Sequence, residues 1–188
     1  SGGKHPGFGR FTLLFLGNFG RFIKAEVLLQ ALANVKARGV PEDQLQLVVT
    51  GDFPESAWRM AKGLGVDKMI HLHAHVPYRE IGGIMAAADL LVLLIQPRGR
   101  QRLAAKLFDY LASERPILAI SENPELGRIL EQSQAGEMYS YGDSKGIEEA
   151  VFSAFQRGRQ QVFKRQPCGV TSAEASEKLA GILDEITA

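Results

Sequence analysis

Between Leu90 and Ile120 the chain carries two apolar runs, Leu90–Ile95 and Ile117–Ile120, each the length of a buried strand. A basic loop and a short amphipathic helix separate them. Leu103, Leu107 and Leu111 recur at four-residue steps and therefore share one helical face. Pro116 cannot continue that helix. Two strands joined by a crossover helix are parallel, and the crossover is right-handed. This unit restricts the chain to folds built on a parallel sheet.

The remaining segments extend the same alternation. Strands are predicted at Phe11–Leu16, Leu45–Thr50, Met69–His73 and Gly136–Tyr139. Helices are predicted from the Gly17–Gly20 turn to about Ala37, and over Pro54–Leu64, Pro77–Ala88, Pro124–Gln134 and Gly142–Gln156. Trp58 and Leu64 are expected to face inward. A last helix over 172–187 is capped by Thr171 or Ser172. Near-continuous apolar strands alternating with helices predict an α/β fold: a Rossmann-like, doubly wound parallel sheet with helices on both faces. Residues 1–10 are Gly-rich and read as a linker, and residues 11–188 form the domain.

Composition removes several function classes. A net charge of +1 gives no bulk attraction to nucleic acid or to an acidic membrane. The single cysteine, Cys168, excludes a disulfide framework and a Cys-based metal site within the chain, and fits a reducing, cytoplasmic setting. No apolar run reaches the ~20 residues of a membrane span.

In a doubly wound sheet, ligands sit beyond the carboxyl ends of the strands, where the strand order reverses. The Gly17–Gly20 turn, Gly51-Asp52, His73–Val76 and Pro97–Arg102 are all placed there. Arg98, Arg100 and Arg102 precede a helix start, where unpaired N–H groups favour anions and guanidinium forks fit phosphate oxygens. Lys106 shares a helix face with Asp109 and with Tyr110. Two readings fit: a nucleotide cradle with phosphates at the helix mouth and ribose on the acid, or a solvated basic loop with an exposed Lys–Asp pair. Gly17 and Gly20 lack the third glycine of a dinucleotide fingerprint, and no Gly-Lys-Ser/Thr phosphate loop occurs. His71, His73 and His75 alternate along a strand and read as packed or surface residues rather than metal ligands. No Asp-x-Asp pair is present to hold a nucleotide-bound cation, so metal independence is expected.

From about Phe11 to Phe155 the chain resembles the C-terminal, donor-binding domain of GT-B fold glycosyltransferases of the retaining, group 1 type. The blocks LLFLGNFGRFIKAEVLLQAL, LQLVVTGD, LHAHVPYREI, AAADLLVLL and AAKLFDYLASERPILAI, with the Gly-Asp block near Tyr141, carry the resemblance. It implies one half of a GT-B fold that holds a UDP- or GDP-linked sugar and transfers the sugar to an acceptor hydroxyl. It implies no cofactor. It also implies a preceding N-terminal acceptor-binding domain, toward which helix 172–187 would pack and through which any peripheral membrane association would come. The family's ribose-binding acid falls on Asp109, shorter than the usual Glu; its earlier Glu, near the donor sugar, falls on Gln101; the glycine between them falls on Ala104. The diphosphate-binding Arg and Lys correspond to Arg21 and Lys24, beside Gly17, Asn18 and Gly20, with Arg98, Arg100, Arg102 and Lys106 opposite. The base would lie at His75-Val76. Catalytic residues are not assigned. The departures at Gln101 and Ala104 keep a second reading open, a degenerate non-catalytic nucleotide- or ligand-binding domain. An oxidoreductase domain is a third.

Overall fold

The computed structural model describes residues 8–20, 25–73, 76–95, 106–107 and 109–160. Six strands, β1 (Phe11–Phe15), β2 (Leu45–Val49), β3 (Ile70–Leu72), β4 (Leu90–Ile95), β5 (Ile117–Ser121) and β6 (Gly136–Tyr139), form one sheet in the order β3-β2-β1-β4-β5-β6. Every pairing is parallel. The four inner strands are buried on both faces apart from Phe11, as their continuous apolar runs require.

Alternate strand residues divide the core into two layers. Leu13, Phe15, Leu47, Val49, Val92 and Leu94 point to one face. There they meet α1 (Glu26–Ala37), α2 (Glu55–Gly63) and α6 (Ser144–Gln160). Leu14, Val48, Leu91, Leu93 and Ala119 point to the other. That face is covered by α3 (Tyr78–Ala87), α4 (helical at 106–107 and 109–112) and α5 (Pro124–Gln132). The sheet is thus wound in both directions from β1 and β4, as expected.

The helix boundaries depart from the sequence expectation for local reasons. Helix α5 stops before Gln134, whose φ of 50° is left-handed, and Ala135 N–H closes the end by donating to the Leu130 carbonyl. Helix α4 likewise ends before Glu114, at φ 58°, ahead of Pro116. Helix α6 begins after Asp143, whose carboxylate accepts from Gly146 N–H at 2.8 Å, and it runs four residues beyond the expected Gln156. On α2 the buried residues are Ala57 and Ala61, and Trp58 and Leu64 are only half-buried. The small alanines let the helix lie close on the sheet, and Trp58 turns sideways onto the Phe53 ring at 4.9 Å. The expected helix over 172–187 and Cys168 lie outside the described residues.

Helix α6 returns to the first face and packs along α1. Asn34 donates to Glu148, and Arg38 pairs with Glu149 at 2.7 Å while lying over the Phe152 ring. The Phe155 ring meets Phe11 edge-on at 5.6 Å. Gly158 completes this contact, since a Cβ there would come within 2.5 Å of the Phe11 ring.

At the amino end of the sheet, Asp89 joins β4 to β1. Its carboxylate accepts from Thr12 N–H at 2.7 Å, and its own N–H donates to the Thr12 carbonyl. Burial pushes this carboxyl above its ordinary 3.8, against the opposing pulls of the Thr12 N–H and Arg115. A carboxyl raised in the folded state contributes stability that is fully present below the unfolded value and is lost as pH rises through the folded one. Asp89→Asn keeps an acceptor for Thr12 and removes the titration. Across urea unfolding curves from about pH 3 to about pH 7, the wild type should lose stability relative to Asp89→Asn as pH rises. A constant difference between the two would show that Asp89 is not raised.

Candidate functional site at the strand-order reversal

Strand order reverses between β1 and β4, since β2 and β3 continue to one side and β5 and β6 to the other. The crevice beyond their carboxyl ends is the ligand site of such sheets. Two loops and one helix build it here.

Helix α4 grips the residue that follows β1. Lys106 Nζ donates to the Leu16 carbonyl at 2.9 Å, and Leu16 N–H donates to the Tyr110 hydroxyl at 3.4 Å. Lys106 and Tyr110 are one helical turn apart, so a single helix face takes both backbone groups of Leu16. The Tyr110 hydroxyl in turn donates to the Val92 carbonyl of β4 at 3.2 Å. Tyr110 is fully buried, and burial pushes its phenol far above the ordinary range, so it acts as a neutral hydrogen-bonding bridge. The sequence marked Tyr110 only as a face-mate of Lys106; its i, i+4 spacing was the available signal.

The turn after β1 is shaped around that lysine. Gly17 has φ 156°, and a Cβ there would meet Lys106 Nζ at 3.0 Å and the Phe15 ring at 3.2 Å. Residues with a side chain rarely adopt that φ, and one here would also press on the lysine. Gly20 differs: a Cβ would meet nothing within 4 Å, so packing does not demand a glycine there. Phe19 is buried between them, its ring 4.3 Å from Phe15 and 5.6 Å from Phe53.

A second loop clasps the first. Asn18 Oδ1 accepts from Asp52 N–H at 2.9 Å, and Phe19 N–H donates to the Asp52 carbonyl at 2.8 Å. Gly51 lies directly beneath, where a Cβ would collide with the Gly17 carbonyl and with Asn18 Oδ1. The Asn18 side-chain oxygen is thus engaged in holding the two loops together. Asp52 takes part through its backbone.

Asp109 lies on α4 between Lys106 and Tyr110 and is half-buried. Its Oδ1 accepts from the Tyr78 hydroxyl at 3.3 Å, a partner that the sequence did not reveal. Tyr78 opens α3 and is 76% exposed. Val76, two residues before it, buries its side chain in the core of the α3 face. Arg21, Lys24, His75, Arg98, Arg100, Gln101, Arg102 and Ala104 lie outside the described residues. Of the residues singled out in the sequence, the structure brings Lys106 against the Leu16-Gly17 backbone, with Asn18 next in the same turn and Asp109 on the same helix as Lys106.

Of the histidine row, His71 and His73 lie in the described residues and His75 does not. His71 lies 3.1 Å from the Arg10 guanidinium, and burial and that cation both lower its pKa. Among the described residues no group of three His, Cys, Asp or Glu is placed to hold a metal ion, and no helix is long and apolar enough to cross a membrane.

No family model matches the chain, and no curated protein matches it in sequence. Solved structures do match in fold. WaaG, a glycosyltransferase involved in lipopolysaccharide biosynthesis, aligns with a TM-score of 0.63 at 23% identity over 80% of this chain. The chain spans only 39% of the length of WaaG. The C-terminal domain of LpcC, a glycosyl transferase group 1 family protein from Francisella tularensis, aligns at 0.62 with 14% identity, over 80% of this chain and 78% of that one. The pneumococcal O-GlcNAc transferase GtfA, solved with UDP and GlcNAc, aligns at 0.63 with 14% identity, over 96% of this chain and 37% of that one. The Rossmann-like α/β fold is therefore the fold of domains found in these glycosyltransferases.

The grip of α4 on β1 can be tested without a ligand. Tyr110→Phe leaves the Val92 carbonyl and the Leu16 N–H without their shared partner, and a buried unsatisfied group costs about 1–3 kcal/mol. Urea unfolding should show a loss of that size with an unchanged m-value. Equal stability of the two proteins would mean that the hydroxyl does not bridge the strands.

Proposed function

We propose that the chain is the donor-binding domain of a glycosyltransferase, holding a UDP- or GDP-linked sugar for transfer to an acceptor hydroxyl. The observation that carries this reading is the placement of Lys106. Its ammonium sits 2.9 Å from the Leu16 carbonyl and beside the Gly17 turn, at the strand-order reversal, with Asp109 one turn along the same helix. An ammonium and a carboxylate on one helix beside this crevice support a reading in which the first meets a diphosphate and the second the ribose hydroxyls. The fold shared with the glycosyltransferase structures supports the substrate class.

In this reading Gly17 gives the phosphates close access to the backbone. Asn18 holds the turn in shape through Asp52. Arg21, Lys24, Arg98, Arg100 and Arg102 add cationic attraction from the flanking loops, and Gln101 lies toward the sugar. The base lies against the backbone at His75-Val76. As the bond to the sugar breaks, negative charge grows on the leaving diphosphate. A fixed ammonium in a partly dry site stabilises that charge more than water would. An acceptor-binding domain supplies the other wall of the cleft, in keeping with the chain's spanning 39% of WaaG. The 188-residue chain alone is accordingly expected to bind donor without transferring sugar to an acceptor.

Calorimetry with uridine and guanosine diphosphates, set against the free nucleosides at two salt concentrations, tests the phosphate site. The wild type should bind one diphosphate more tightly than its nucleoside, and raised salt should weaken only the diphosphate. Lys106→Ala should reduce diphosphate affinity by ~1.5–3 kcal/mol, as for a hydrogen bond to a charged group, or about ten-fold or more. Nucleoside affinity should scarcely change. Because Lys106 also holds Leu16, the variant's unfolding curve is measured alongside. A wild type that binds neither diphosphate better than its nucleoside would overturn the reading.

A further inference from the structure

The Tyr78–Asp109 contact has no role in the core. Tyr78 is the most exposed large side chain among the described residues with apolar character, yet its hydroxyl reaches across from α3 to one carboxylate oxygen on α4. Asp109 is half-buried and sits between Lys106 and Tyr110, both of which are engaged with Leu16. Its helix is therefore fixed at this point, but a short carboxylate on a fixed helix can still rotate about its side-chain bonds. An ionised carboxylate offers about four acceptor positions over two oxygens. One donor from outside the helix suffices to choose a rotamer and leaves positions on both oxygens open.

We propose that Tyr78 is a positioning residue for the nucleotide: its hydroxyl holds Oδ1 of Asp109 so that the carboxylate presents its remaining acceptor positions to the two ribose hydroxyls. This rests on the donor-binding reading above and deepens it. Tyr78 opens α3 directly after the Val76-Pro77 turn, so the contact ties the proposed base wall to the proposed ribose acceptor. An Asp in place of a longer acid needs such support, because a shorter side chain has less reach with which to find the sugar by itself. The ligand class this selects is a ribonucleoside diphosphate rather than its deoxy counterpart.

The test uses the full 188-residue chain and Tyr78→Phe, which keeps the ring and removes only the hydroxyl. Calorimetry measures uridine or guanosine diphosphate, whichever the wild type binds, beside its 2′,3′-dideoxy form. Tyr78→Phe should weaken the ribonucleotide about three- to ten-fold, the range for losing one ordinary hydrogen bond. It should leave the dideoxy ligand unchanged. In an Asp109→Ala background the same substitution should have no effect on either ligand, since there is no carboxylate left to orient. Unfolding curves of both proteins should coincide, because Tyr78 is exposed. Equal affinity of wild type and Tyr78→Phe for the ribonucleotide, equal losses for both ligands, or an undiminished effect without Asp109 would each overturn the proposal while leaving nucleotide binding in place. A wild type that binds no nucleoside diphosphate would instead overturn the donor-binding reading, and this proposal with it.

Discussion

The hydrogen bonds that Lys106 and Tyr110 make to Leu16 determine how the site is arranged. A parallel sheet ends in backbone groups that no neighbouring strand can satisfy, and at the strand-order reversal the crossovers leave in opposite directions and open a gap. Here α4 fills that gap from one side. It takes the Leu16 carbonyl with an ammonium and the Leu16 N–H with a phenol, and the phenol O–H donates to the Val92 carbonyl of β4. One helix therefore sets the relative position of β1, β4 and itself. The same contacts bring a positive charge to the end of β1 and fix Asp109 beside it. Lys106 thus serves the fold even with no ligand bound.

The loops add a second constraint. Asn18, Gly51 and Asp52 fasten the turn after β1 to the turn after β2 through two hydrogen bonds and one close approach. The rings of Phe15, Phe19, Phe53 and Trp58 support it from below in a continuous row. Phe19–Phe53 and Phe53–Trp58 meet edge to face, a favoured ring arrangement, and Phe15–Phe19 is tilted. The rim of the crevice beside Gly17 is thus seated on packed aromatics.

Much of this architecture was legible in the sequence because it is local. Apolar runs such as Leu90–Ile95 and Leu45–Val49 show buried strands directly, and Leu126, Leu130, Ile147 and Val151 show the inward faces of α5 and α6. The crevice followed from the alternation of strands and helices. What the sequence did not disclose was tertiary. Leu16 and Tyr110 are 94 positions apart, and Tyr78 and Asp109 are 31 apart, so no periodicity links them. The bond from Asp52 N–H to Asn18 Oδ1 is likewise visible only once β1 and β2 lie side by side. Trp58 does face the core as expected, but it packs at its margin, while Ala57 and Ala61 take the buried positions of α2.

The packing of α6 against the start of β1 has a mechanical result. Phe11 opens the sheet at the end away from the crevice, and Phe155 and Gly158 of α6 lie against its ring. The first strand and α6 thus brace each other at the foot of the sheet. A load on α6 passes into β1 there, and along that strand it reaches the rim where Gly17 lies.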